Sequence, residues 1–319
     1  MLFDRRVLLA LASAAAASPA VAEPPDPTEV VPLWPGPPPG APVPPPHEMV
    51  VDRVETSGFQ DRYVTGVGRP LMTVFRPKSP TGAAALVVPG GGYVRVVIDK
   101  EGFEIARRLN AAGVTAFVLR YRLPPEGWAN PGAVPLQDGQ RAVRLIRSRA
   151  RDYGVDPRRV AVIGCSAGGH LAATLATDHA LAAYEANDAA DRQSARPDLT
   201  ALLYPVIDMA APFAHAGSRT ALLGPAPTAA EEAAHSPHRR VTPETPPTFL
   251  AHAADDPAVP VENSLQLLAG LRAAKVPAEA HIFEEGGHGF GIRLAHGKPA
   301  EAWPDLFLAW AGRRGWPGG

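Results

Sequence analysis

The stretch Val160 to Leu171, VAVIGCSAGGHL, constrains this chain more than any other. Its β-branched apolar run (Val160, Val162, Ile163) stops at Gly164, and the small-residue segment from Gly168 runs on into LAATLA, which favours helix. The local order is therefore strand, sharp turn, helix. The turn, Gly164-Cys165-Ser166-Ala167-Gly168, is a G-x-S-x-G match. Such a turn forces its serine into a strained backbone conformation, and the flanking glycines let the chain pass that closely. Ser166 then stands at the carboxyl end of a strand with a helix amino terminus behind it, where backbone N–H groups favour developing negative charge. A dinucleotide fingerprint is the rival reading, because Gly164 and Gly169 share the outer spacing of G-x-G-x-x-G. That fingerprint needs glycine where Ser166 stands and an acidic residue closing a second strand about 20 residues on. Neither is present, which leaves Ser166 as a candidate nucleophile.

A chain of 319 residues, 46% hydrophobic and 20% charged, has the balance of one large α/β domain with an ample core. A net charge of −1 and a pI near 6.8 offer no basic footprint for nucleic acid and no polybasic membrane anchor. Small neutral or weakly polar molecules are the expected partners, and the sequence is silent on oligomeric state. The single cysteine, Cys165, excludes an intrachain disulfide and a cysteine zinc cluster, and the histidines show no HExxH or other metal spacing. No metal or cofactor is implied. Beside Ser166 at a buried strand end, Cys165 reads as a small core residue rather than a reactive thiol.

Residues 1 to 22 open with Arg5 and Arg6, run through VLLALASAAAA and close on Ala20-Val21-Ala22, which is the layout of an export signal. The apolar run is too short for a bilayer span, so cleavage after Ala22 and a periplasmic or secreted location are expected. The paired arginines also resemble a twin-arginine signal, with Asp4 where Ser or Thr is usual. From Glu23 to His47 the density of proline excludes helix and central strand and favours an extended arm or spacer. Within it Trp34 either pins the arm to the domain or contacts a polymer. The remainder, 48–319, reads as one domain.

Met49 to Glu55 and Arg62 to Arg76 look like antiparallel strands leading into the sheet. After them strands alternate with helices: Ala83 to Val88, a helix from about Glu101 to Ala112, Val114 to Tyr121, a helix from Leu136 to about Asp152, and the central strand. Leu199 to Pro205, Thr248 to Ala251, a helix over Val261 to Ala274, Ala278 to Phe283 and a closing helix over Ala300 to Ala311 continue the pattern. That alternation predicts an α/β fold with a mostly parallel twisted sheet covered on both faces. The 205–247 interval is too long for a simple crossover and is a candidate lid. Asp138 falls in the first turn of its predicted helix, where dipole complementarity accounts for it.

Serine needs a base, and the base an orienting carboxylate. Downstream, Asp255-Asp256-Pro257-Ala258-Val259-Pro260 follows the strand TFLAHA, and Glu284-Glu285-Gly286-Gly287-His288-Gly289-Phe290 follows the last strand. Both lie just past carboxyl strand ends, where sites in open α/β sheets collect. The order Ser, Asp, His is that of α/β-hydrolases. Within them, PGGGY at Pro89, YRLP at Tyr121, GCSAGGH, HAADDPAVPVENS and EEGGHGFG together resemble the secreted esterases related to bifunctional feruloyl and acetyl esterases, of acetyl-xylan esterase type. The resemblance covers the chain from about Trp34 onward. It implies Ser166 as nucleophile, His288 as general base and acid, and Asp256, directly before Pro-x-Val-Pro, as the orienting acid.

The resemblance also implies an oxyanion hole from the Ala167 amide and from glycines of the PGGGY loop, Gly91 and Gly92, with Pro89 where lipolytic relatives carry histidine. Which two glycine amides point inward is open. A phosphate-cradling loop is excluded because no Lys-Ser/Thr follows. Tyr93 and Trp128 follow strand ends on the same rim, and each either faces an acyl or sugar group or packs in the interior. His170, on the helix after the turn, reads as a packing or hydrogen-bonding residue beneath the site.

The function expected is a serine carboxylesterase that removes short acyl groups, acetyl foremost, from carbohydrate esters such as acetylated xylan. A general short-chain esterase, lipase or peptidase-like hydrolase is the enzymatic alternative, and a non-catalytic carbohydrate-binding protein on a hydrolase fold the alternative of another class. The adjacent Asp255 and Asp256 cannot flank a glycosidic bond as a glycosidase pair does. For the leader, amino-terminal sequencing of periplasmic protein is expected to begin at Glu23. Recovery of only the intact Met1 form, in the cytoplasm, would overturn that expectation.

Overall fold

The computed structural model describes residues 25–317, so the predicted export segment lies outside the described residues. Eleven strands are present among them: β1 (Val30–Pro32), β2 (Met49–Asp52), β3 (Arg62–Thr65), β4 (Leu71–Phe75), β5 (Ala84–Val88), β6 (Val96–Val97), β7 (Thr115–Arg120), β8 (Val160–Cys165), β9 (Leu199–Leu203), β10 (Thr248–Ala253) and β11 (Ala278–Phe283). Eight of them form one sheet in the order β1-β4-β7-β5-β8-β9-β10-β11. The first two pairings, β1 with β4 and β4 with β7, are antiparallel and the rest parallel. Every residue of β5, β8 and β9 is buried. These continuous apolar runs, without alternation, belong to strands covered by helices on both faces.

Because β5, β8, β10 and β11 run parallel, their carboxyl ends lie on one edge of the sheet. The loops that follow carry Gly90 to Gly92, Ser166, Asp256 and His288 respectively. The parallel topology thus gathers residues nearly 200 positions apart.

Three predicted elements differ from what forms. The segment expected as a strand through Glu55 ends at Asp52, and Val54–Ser57 turns helical before Gly58, whose φ of 75° closes it. With β3 and β6, β2 makes a separate three-stranded antiparallel sheet, so of these early segments only β4 enters the main one. The helix expected from Glu101 begins as a wide π-type turn over Asp99–Phe103 and becomes α-helical over Glu104–Ala111. Tertiary contacts pull that turn open: Arg62 grips the Asp99 carboxylate through its amide at 2.6 Å and its guanidinium at 2.7 Å. The Gly90 amide donates to Glu101 Oε2 at 2.8 Å.

The proline-rich segment is not a free spacer. Val30 to Pro32 pairs with β4 as an edge strand, where a proline without an N–H is tolerated. Leu33 and Trp34 are buried. Trp34 Nε1 donates to Asp138 Oδ1 at 2.9 Å. Asp138 in turn is not a dipole-capping residue. It lies past the first turn of helix Val134–Ser148, fully buried, and its carboxylate receives the Arg122 amide at 2.8 Å and the Arg122 Nε at 3.0 Å. Arg122, also fully buried, reaches the Pro39 carbonyl at 2.7 Å and Gln137 Oε1 at 2.9 Å. A paired, hydrogen-bonded charge is tolerated in a core; one left alone is not.

Asp138→Ala would strand the Arg122 guanidinium and the Trp34 N–H together. We expect a loss of about 3–5 kcal/mol in urea unfolding. Accelerated proteolysis before residue 47 would mark release of the proline-rich segment. Wild-type stability in this variant would show that the cluster does not hold the segment down.

Candidate active site

Ser166 begins helix Ser166–Thr177 directly after β8, with φ of 53°. An L-residue in that left-handed region costs on the order of 1–3 kcal/mol and persists only where its surroundings dictate it. Here the surroundings are backbone. A Cβ on Gly168 would stand 2.2 Å from the Val88 carbonyl oxygen, and one on Gly164 would stand 2.4 Å from that of Gly168. The helix therefore starts in contact with β5 and β8, and only glycines permit it.

Ser166 Oγ lies 2.9 Å from His288 Nε2, and His288 Nδ1 lies 2.7 Å from Asp256 Oδ2. The carboxylate only accepts, so Nδ1 carries the imidazole proton and Nε2 faces the serine as acceptor. Asp256 Oδ1 receives the amides of Ala258 at 2.8 Å and Val259 at 2.9 Å. Burial opposes its charge, but hydrogen bonds from His252 and His288, the charge of His288 and the Val259 amide outweigh burial. They hold the carboxyl well below the usual range. Asp255 points elsewhere: its Oδ1 accepts the amides of Gly286 at 3.0 Å and Gly287 at 2.8 Å, tying down the loop that presents His288.

Gly91 and Gly92 share with Ser166 and His288 a cavity of about 270 Å³. Gly91 has φ of 130°, and a Cβ there would meet the Arg95 carbonyl oxygen at 2.2 Å. The loop is anchored by the Gly90 amide on Glu101 and by Tyr121 Oη, which donates to the Pro89 carbonyl at 3.0 Å. Ala167, buried, is the second residue of its helix, where amides have no intrahelical acceptor.

The two aromatic candidates are not among the residues lining this cavity. Tyr93, fully buried, places its hydroxyl 2.7 Å from His170 Nδ1. Trp128 is buried under the Arg122 guanidinium, 5.0 Å from its ring centre. Both pack because each rim position turns inward onto a polar partner already buried there. A larger cavity of about 850 Å³ lies beyond Tyr93, lined by His170, Asp178, Leu222 and His235 among others, and Ser166 does not line it. His170 bridges Tyr93 and the His235 carbonyl at 2.7 Å, and burial pushes its pKa down to about 4, so it stays neutral. Cys165 is fully buried, and desolvation raises its thiol pKa, which keeps it inert.

Several residues at the site escaped sequence reasoning. His252, fully buried in β10, places Nε2 3.2 Å from Asp256 Oδ2 and 3.0 Å from the Val259 carbonyl, while its Nδ1 meets Ser264 Oγ at 2.8 Å. Tyr204, at the end of β9 with φ of 38°, sets its ring edge-on to His288 at 5.1 Å and receives the Gly291 amide at 3.3 Å. The 205–247 interval folds into helices Ala216–Leu223 and Ala229–Ala234 and brings His215 and Gly217 to the cavity. His215 accepts the Ser218 amide through Nδ1; burial, then the nearby charge of His288, lowers its pKa. Only the TFLAHA motif, with a histidine four residues before the acid, offered a signal for any of these.

Compared with known proteins, the chain matches the BD-FAE family over residues 72–271. It is 32% identical over 229 residues to an acetylxylan esterase of Xylanibacter ruminicola, a stretch covering 70% of this chain and 44% of that protein. It is 35% identical over 227 residues to an endo-1,4-beta-xylanase B of Butyrivibrio fibrisolvens, covering 71% of this chain and 34% of that one. The chain thus spans less than half the length of either relative. Among solved structures, an acetyl ester-xyloside bifunctional hydrolase from Caldicellulosiruptor lactoaceticus superposes with a TM-score of 0.72 at 35% identity, over 91% of this chain and 98% of that one. With the family match covering more than half its length and the sheet and strand-end loops arranged as described, the chain belongs to the BD-FAE family and has the α/β-hydrolase fold.

Proposed function

We propose that this protein is an exported serine esterase that removes short acyl groups, acetyl foremost, from carbohydrate esters. The observation that carries the reading is the continuous line from Ser166 Oγ to His288 at 2.9 Å and from His288 to Asp256 at 2.7 Å, opening on a cavity. As the Ser166 oxygen attacks the acyl carbon, His288 Nε2 takes its proton, and Asp256 stabilises the imidazolium without being protonated. The Ala167 amide and those of Gly91 and Gly92 receive the oxyanion, each such donor being worth about 10²-fold or more in rate. His288 then gives the proton to the departing alkoxide, leaving an acyl-serine that water hydrolyses by the reverse path. The acetylxylan esterase and the acetyl ester-xyloside hydrolase among its relatives support the carbohydrate ester as substrate.

Ser166→Ala is expected to leave a folded protein whose esterase activity is down at least about 10⁴-fold, since the triad acts as a unit. Asp256→Asn is expected to cost about 10²- to 10⁴-fold in kcat by disfavouring the His288 tautomer. Asp255→Asn, which keeps the oxygen that accepts the Gly286 and Gly287 amides, is expected to cost far less. Near-normal turnover of p-nitrophenyl acetate by pure Ser166→Ala protein would remove the assignment, and the reverse ranking of the aspartates would move the acid's role to Asp255.

The small cavity also supports a short acyl group. A pocket that shelters a fatty chain gains roughly 1 kcal/mol per buried methylene, so kcat/KM would climb with chain length. A cavity of about 270 Å³ with Gly91, Gly92, Arg95, Lys100 and His215 on its walls offers no such apolar tunnel. We expect kcat/KM to fall from p-nitrophenyl acetate to butyrate to octanoate, with acetate but no reducing sugar released from acetylated xylan. A rise toward octanoate would favour a lipase.

A further inference from the structure

Three cations line the cavity that holds Ser166: Arg53, Arg95 and Lys100. Arg53 is neutralised within the protein, with its guanidinium 2.6 Å from Asp61 Oδ2. Arg95 and Lys100 are not: among the described residues neither has a carboxylate oxygen within 4 Å. Arg95 lies over the Tyr63 ring at 5.2 Å, and its Nε is buried with no hydrogen-bond partner. The one carboxylate lining the same cavity, that of Glu101, is buried and gives Oε2 to the Gly90 amide at 2.8 Å; its Oε1 lies on the Lys100 side, 3.3 Å from where a Cβ on Gly289 would stand, without forming an ion pair with Lys100. His215, neutral for the reason given above, adds no charge. Two cations without an ion-pair partner therefore face a single carboxylate, which leaves the cavity a local excess of positive charge.

The cations stand at defined places relative to the chemistry. Arg95 packs its Cγ 2.8 Å from where a Cβ on Gly91 would lie, beside the loop assigned to the oxyanion. Lys100 Nζ comes within 3.4 Å of where a Cβ on Gly289 would lie, next to His288. Since His288 protonates the departing alkoxide, the alcohol half of the ester lies on the His288 side of the scissile carbon. Lys100 is on that side. A charged nitrogen left unpaired in a partly dewatered cavity is a standing cost unless an anion joins it, and charge-assisted hydrogen bonds are the strong ones.

We propose that the preferred substrates are esters whose alcohol half carries a carboxylate, an acylated uronic acid being the carbohydrate case, with Lys100 receiving the carboxylate and Arg95 adding to the positive field. This rests on the esterase reading above and narrows its substrate class. The composition alone, with a net charge of −1, points to neutral substrates, because it averages over a surface that the cavity does not share.

The test compares acetate release from methyl glucopyranosiduronate monoacetate and from methyl glucopyranoside monoacetate, which differ only in carboxylate against hydroxymethyl. Acetoxybenzoate and its methyl ester form a second pair without sugar. The wild-type enzyme is expected to favour the anionic member of each pair by about 10-fold or more in kcat/KM, chiefly through KM, with the ratio shrinking as salt is raised. Lys100→Gln should bring the ratio close to unity, Arg95→Gln should lower it in part, and Lys100→Arg should retain it. Equal or preferred turnover of the neutral members, or a ratio indifferent to Lys100→Gln, overturns the inference and leaves the esterase standing. No acetate from either pair or from p-nitrophenyl acetate overturns both.

Discussion

The positive φ of Ser166 is the constraint on which the rest depends. A serine held there points its hydroxyl out of the sheet edge, but the helix that follows must start almost in contact with two strands. Gly164, Gly168 and Gly169 admit that approach: Cβ atoms on them would meet the Gly168 carbonyl, the Val88 and Pro89 carbonyls and the Pro205 ring at 2.2 to 2.7 Å. Gly90 completes the enclosure, since a Cβ there would lie 2.8 Å from that of Ser166. Strain at one residue is thus maintained by close packing at four, and any side chain at those four would push Ser166, its helix or the Gly90 to Gly92 loop apart.

Much of this was legible in the sequence because it depends on local chemistry. The strand-turn-helix around Ser166, the parallel alternation and the loops bearing Asp256 and His288 each follow from residues adjacent in the chain, and their strand bounds differ by a residue or two at most. The illegible parts depend on partners far apart. Nothing near Asp99 announces that Arg62 will open the following turn into a π-type one. Nothing in the local pattern at Trp128 or Tyr93 says that Arg122 and His170 will be buried against them. A rim aromatic has the same local sequence whether it faces solvent or the core, and the distant partner decides which.

Tyr121 and Arg122 show how one short motif serves two distant ends of the chain. They leave β7 side by side and diverge: the Tyr121 hydroxyl fixes the Pro89 carbonyl at the start of the Gly90 to Gly92 loop, while Arg122 takes Asp138 and the Pro39 carbonyl. The Trp34 indole closes the second arrangement on Asp138. Beyond the edge pairing of Val30 to Pro32 with β4, buried arginines hold the proline-rich segment by its free carbonyls. Arg141 repeats the device with the Leu33 carbonyl at 2.8 Å. The same two-residue step in the chain therefore connects the order of the proline-rich segment to the order of the Gly90 to Gly92 loop.

Asp256 is where the electrostatics of the site converge. A carboxylate offers about four acceptor positions, and all are taken here: the Ala258 and Val259 amides on Oδ1, His288 and His252 on Oδ2. His252 faces two acceptors through Nε2, Asp256 and the Val259 carbonyl, so that nitrogen carries its proton and Nδ1 accepts from Ser264. With every lone pair engaged the carboxylate has no rotation left to it, and the direction of the His288 ring is fixed before any substrate arrives. In the acyl transfer proposed above, an imidazolium at His288 would meet a charge already oriented and already desolvated, leaving little reorganisation for the reaction step itself. The cost of burying that charge is met in the folded resting state by two histidines and two amides, all of them supplied by the loops that close two neighbouring parallel strands and by β10 itself.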